Sequence, residues 1–175
     1  MSRPRRTEED LRNALRGIRY ERDIMRRTAY ALASGVVPRG SLQQIALLES
    51  FLIHVRNLLE FVVPQKSAVE RHETVISRDF FSSPDPWQGS STAGECRAKD
   101  LFEDELGRHK DWAECDLHGF RTKLHIKLAH VSYSNRDQTQ WPVIHILNGV
   151  NKALSHFMKQ ASEHGINGLF ENLEE

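Results

Sequence analysis

Between Ser41 and Pro64 the chain places apolar side chains on nearly every side of one helix. Leu42, Ile45, Leu48, Leu52, Val55, Leu59 and Val62 make its main face, and Phe51, Ile53, Leu58 and Phe61 fill much of the rest. A helix of that kind belongs at the centre of a packed structure, with other helices around it. Ser41 is its predicted cap and Pro64 its stop. The flanking segments supply amphipathic partners. Thr7 caps a first helix, with Asp10 completing a variant of the capping box. Its inward stripe is Leu11, Leu15, Ile18, Met25, Ala29 and Leu32, with Arg22 inside that stripe, and Gly35 and Pro38 end it. A third long helix is expected from about Trp112 to Ser134, on the stripe Leu117, Phe120, Leu124, Leu128 and Val131. The turn Asn135-Arg136-Asp137 leads to a fourth that starts near Trp141, with Pro142 in its first turn.

The prediction is an all-α, antiparallel four-to-five-helix bundle forming a single domain over residues 1–175. Residues 1–6 are expected to be a disordered leader and 166–175 a flexible acidic tail. Between helices two and three, residues 64–96 read as a long irregular loop with a short helical piece around residues 73–81. Phe80, Phe81 and Trp87 should pin that loop to the bundle, and a short acidic helix follows from about Arg97 to Leu106.

Lysine plus arginine and aspartate plus glutamate each number 24, so the chain as a whole is not a general polyanion binder. The charge is nevertheless uneven. Nine arginines from Arg3 to Arg27 crowd the leader and first helix, whereas residues 95–116 and the tail are acidic. Solvated faces that complement each other within the fold or across a dimer are one reading; an arginine strip on nucleic acid is the other. Cys96 and Cys115 form no CxxC motif, no signal core follows the basic start, and no apolar run reaches a membrane-spanning length of roughly 18 residues. A cytoplasmic protein with two reduced thiols, no membrane association and no cofactor is expected.

Two polar clusters lie inside these apolar helices. One is His54, Arg56, Asn57 and Glu60; the other is His125 to His130, followed by Tyr133 and Arg136. Unpaired buried polar groups cost about 1–3 kcal/mol each, so both clusters should find partners, and the simplest arrangement is one network shared by adjacent helices. Arg56 and Glu60 stand one turn apart and are expected to pair. Arg22 would need Glu60 or Asp79. The network is either a salt-bridge clasp or a pocket where Arg56, Asn57 and His130 meet an anion.

His145 and His156 are expected in solvent, opposite the apolar stripe of helix four. On helix three, Glu114, His118 and His125 have the spacing for three metal ligands, but Arg121 sits in the middle of that stripe and opposes a cation, so no metal is predicted. No serine or cysteine stands in a glycine elbow, and no glycine-rich phosphate loop is present.

The segment His54-Val55-Arg56-Asn57-Leu58-Leu59-Glu60-Phe61 resembles a family of uncharacterised bacterial helical proteins, as do Asp79-Phe80-Phe81 and Ala129-His130-Val131-Ser132-Tyr133 with Arg136. More distantly, the arrangement resembles the HEPN superfamily of helical bundles found in toxins and abortive-infection proteins. That resemblance implies a metal-independent ribonuclease acting at a dimer cleft through an arginine and a histidine. His130 would be the motif histidine, with Arg121 and His125 beside it as the further catalytic candidates. The motif's arginine positions hold Lys123, Leu124 and His125. The functional expectation is therefore a non-catalytic bundle that binds another macromolecule, as a homodimer or with a protein partner or RNA. A toxin-type endoribonuclease and a metal or small-molecule sensor are the alternatives.

Overall fold

The computed structural model of the chain describes residues 5–65, 74–81, 94–129 and 140–164. They form an all-α bundle of five helices: α1 Glu8–Ala33, α2 Leu42–Val62, α3 Gly94–Leu106, α4 Leu117–Ala129 and α5 Val143–His164. No described helix is long and apolar enough to cross a membrane.

Helix starts follow local chemistry. The Thr7 hydroxyl accepts from the Asp10 amide at 3.1 Å while the Asp10 carboxylate accepts from the Thr7 amide at 3.1 Å, closing the capping box. The Ser41 hydroxyl accepts from the Gln44 amide in the same way. Gly35 ends α1 with a φ of 69°, a left-handed conformation that costs glycine little.

Helix α1 lies along α2, and α3 lies along α5; α2 also meets α4 and α5. The core is continuous across all five helices. Phe51, Leu52, Val55, Leu58, Leu59, Phe61 and Val62 are buried, so the second half of α2 is the central element that its all-round apolarity implies. The first turn departs from that pattern, since Leu42 is 82 % exposed.

Two aromatic groups join the elements. Phe61, Phe80 and Phe157 meet edge to face at centroid distances of 5.0–5.8 Å, with Phe81 on Phe157 at 6.2 Å. Phe80 and Phe81 thus pin the connection after α2 to the bundle; Trp87 lies outside the described residues. At the α3–α4 side, Phe102, Trp112, Phe120 and Trp141 stack in a chain of contacts.

The boundaries after α2 differ from the sequence reading in three places. The helical piece near residues 73–81 is a single 3₁₀ turn, Ser77–Phe80. The acidic helix begins at Gly94, because Ala98, Phe102 and Leu106 share a buried face. The third long helix is two pieces, a 3₁₀ turn Lys110–Trp112 and then α4, since Asp116 accepts from the Gly119 amide at 2.7 Å and restarts the chain as a helix. Pro142 precedes α5 and its carbonyl accepts from Ile146.

Candidate functional site

Among the described residues, no hydrogen bond or ion pair joins His54, Arg56, Asn57 or Glu60 to His125, the described histidine of the second polar cluster. His54 and Asn57 both turn toward α1, where one oxygen of Glu21 meets His54 Nδ1 at 2.5 Å and the Asn57 amide at 3.1 Å. The ring of Tyr20 stands edge-on to His54, with centroids 6.1 Å apart. Arg56 points the other way, is exposed, and makes no hydrogen bond or ion pair with another described residue. The expected Arg56–Glu60 pair is therefore absent. A cation one turn away on the same helix lost to one on a neighbouring helix, Arg121 of α4.

Arg121 closes the C-terminal end of α2. Its guanidinium donates to the carbonyl of Leu59 at 3.2 Å and to that of Val63, and lies 3.9 Å from the Glu60 carboxylate. The last carbonyls of any helix lack intrahelical partners and carry partial negative charge, and α2 has no basic residue in its own last turn. Burial lowers the Arg121 guanidinium from its usual range, and Glu60 opposes that shift. So α2 and α4 do lie together, but through Arg121. His130, Tyr133 and Arg136 lie outside the described residues.

Neither Glu60 nor Asp79 is the partner of Arg22. Arg22 lies at the edge of the α1 stripe and reaches solvent, donating to Asn151 of α5 at 3.3 Å instead of to a carboxylate. Asp79 is nearly buried, accepts from the Ile76 amide at 3.0 Å and faces Arg6 at 3.6 Å. Its partner thus comes from the chain ahead of α1.

Around Arg121 opens a cleft of about 470 Å³ whose lining includes Lys99, Asp116, His118, Thr122 and His125. His118, His125 and Glu114 are all exposed. Among the described residues, no three His, Cys, Asp or Glu side chains group to hold a metal ion. Cys96 and Cys115 are both free; burial raises the Cys115 thiol, with Lys123 opposing and Asp116 adding to the shift.

A second polar site, between α3 and α5, was not anticipated. Glu105 is buried at 3 % exposure and sits 2.7 Å from Lys152 Nζ, 3.2 Å from Arg108 and 3.6 Å from His145 Nδ1. His145 and His156, expected in solvent, are half-buried because α3 covers that side of α5. The readable signal was Glu105 on the same stripe as Ala98 and Phe102, a carboxylate at a core position that must draw cations to it. A cleft of about 650 Å³ opens there, with Arg108, Lys152, His156 and Lys159 on its walls.

This region should make the fold acid-sensitive. Burial pushes the Glu105 carboxyl up, but Lys152, Arg108 and Asn148 outweigh it and hold the group below its ordinary value. Burial, then Arg97 and Lys159, lower the His156 imidazole below its own. In both cases the unfolded chain binds protons more readily, so stability present at neutral pH is lost on acidification. The melting temperature of the wild type should fall relative to His156→Gln between about pH 7.5 and 5.5, and relative to Glu105→Gln from about pH 5 to 3. Constant gaps over both ranges would contradict this account.

No family model, curated protein or solved structure matches the chain.

Proposed function

We propose that the protein works by binding another macromolecule rather than by catalysis, and that the outer side of α1 is the docking surface. One observation carries this reading: all six arginines of α1, from Arg12 to Arg27, are exposed. Among the described residues, no carboxylate of the acidic segment forms an ion pair with them. Glu95 is held by Arg78 at 2.5 Å, Glu103 accepts from the Leu117 amide at 2.6 Å, and Glu105 is bound to Lys152. A cytoplasmic location suits the two free thiols.

The test is retention on immobilised heparin, a sulfated polyanion, with salt elution. Arg16→Gln/Arg19→Gln/Arg26→Gln should keep the wild-type circular dichroism spectrum and melting temperature, since surface changes cost within about 0.5 kcal/mol each. It should elute at much lower salt, because each lost cation removes one released counterion. Co-elution with the wild type would remove the reading.

A ribonuclease reading draws on Arg121 and His125, which line one cleft with His118. RNA cleavage through the 2′-hydroxyl needs a general acid or base and a cation near the phosphorane. In EDTA it predicts cleavage that His125→Ala abolishes; intact RNA after incubation disposes of it.

A further inference from the structure

We infer that the partner is single-stranded nucleic acid, gripped on its backbone by the arginines of α1 and under its bases by Tyr20 and Tyr30. This rests on the reading of α1 as the docking surface and names what docks there.

The first argument is charge placement. From Leu11 to the end of α1 the only acids are Glu21 and Asp23. Glu21 is engaged by His54 and Asn57 on the inner side, which leaves Asp23 alone among the outward arginines. Arg12 has Glu8 at 2.5 Å and Arg16 has Asn13 at 3.3 Å, both exposed contacts that a ligand can replace at small cost. Arg19, Arg26 and Arg27 have no hydrogen bond or ion pair with another described residue.

The second is spacing. Arg12, Arg16, Arg19, Arg26 and Arg27 follow helical periodicity and fall on one side. With about 1.5 Å of rise per residue, the row from Arg12 to Arg26 is about 21 Å long, enough for several successive phosphates. The helix contains arginine and no lysine. A planar guanidinium binds a phosphate through two parallel hydrogen bonds, whereas an ammonium acts as a point charge.

The third argument separates nucleic acid from other polyanions. Tyr20 is 61 % exposed and Tyr30 is 56 % exposed, and both flank the arginine row. An exposed aromatic ring beside a cationic track serves a ligand with flat apolar faces, which nucleobases have and an acidic peptide lacks. The Tyr20 ring is also held in place: His54 stands edge-on to it, and Glu21 holds His54. Bases must be unpaired to stack on a side chain, so the ligand is single-stranded.

The experiment is fluorescence anisotropy with the full chain and labelled oligonucleotides of roughly a dozen residues. Single-stranded RNA, single-stranded DNA, the duplex of the same sequence and polyglutamate are compared. Wild type should bind a single strand more tightly than duplex, with the RNA and DNA arms showing which sugar is preferred. Tyr20→Ala/Tyr30→Ala should weaken single-strand binding by about ten-fold or more per ring while leaving heparin retention unchanged. Arg16→Gln/Arg19→Gln/Arg26→Gln should flatten the dependence of log affinity on log salt by about 2. Duplex binding equal to or tighter than single-strand binding, tyrosine-independent affinity, or binding of polyglutamate alone would overturn the inference while leaving α1 as a docking surface. Absence of arginine-dependent retention on heparin as well would remove both.

Discussion

Replacing Phe157 by alanine is expected to cost about 3–5 kcal/mol, which for a chain of this length lowers the melting temperature by roughly 6–20 °C. Phe157 is fully buried, and among the described residues Phe61 at 5.0 Å, Phe80 at 5.5 Å and Phe81 at 6.2 Å converge on its ring. Each edge-to-face pair adds about 0.5–1.5 kcal/mol beyond burial. The three partners come from α2, from the 3₁₀ turn and from Phe81 just after it, so α5 would lose its hold on both segments at once. Phe61 and Phe80 also meet each other edge to face at 5.8 Å, a contact that their movement into the vacated space would break. Urea denaturation followed by circular dichroism measures the loss. Tyr30→Ala, an exposed ring of α1, is the control and should change stability by less than about 0.5 kcal/mol. A loss below about 1 kcal/mol at Phe157 would mean that the aromatic group does not join α2 to α5.

What could be read in the sequence was local and periodic. The caps at Thr7 and Ser41 depend on residues three positions apart, and the burial of Phe51 to Val62 depends on a pattern within one helix. Partner choice was not legible, because it depends on which helix faces which. The i,i+4 rule put Glu60 with Arg56, yet Arg121 won by satisfying Leu59 and Val63 carbonyls that Arg56, on the same helix, could not reach. The missing cation in the last turn of α2 was a clue that one had to arrive from elsewhere. Likewise, nothing in the pattern of α2 names Glu21 of α1 as the carboxylate that meets both His54 and Asn57. The arginines of α1 can be counted in the sequence, but neither their exposure nor the engagement of Glu95, Glu103 and Glu105 within the fold can be read there.

The contact between α3 and α5 sets the second large effect. A Cβ added at Gly149 would lie 3.0 Å from the Phe102 ring and 3.1 Å from the Phe102 carbonyl oxygen. The ring can turn, but the carbonyl belongs to the backbone of α3, so any side chain there pushes the two helices apart. Alanine asks for a few tenths of an ångström, and its better helix propensity, worth up to about 1 kcal/mol, offsets part of that cost. Valine adds two methyl groups at the same point, and Gly149→Val should lose about 1–3 kcal/mol. The displacement should also be visible in the chemistry beside it. Glu105 follows Phe102 by one turn and relies on Lys152 of α5 at 2.7 Å. Moving α3 outward lengthens that pair and admits water, so the carboxyl returns toward its ordinary value and the acid-dependent part of the stability shrinks. Gly149→Val should therefore melt lower than the wild type at neutral pH, with the gap narrowing as the pH falls below about 5. A neutral-pH melting temperature equal to that of the wild type would show that α3 and α5 do not approach at Gly149, and the origin assigned to the Glu105 cluster would go with it.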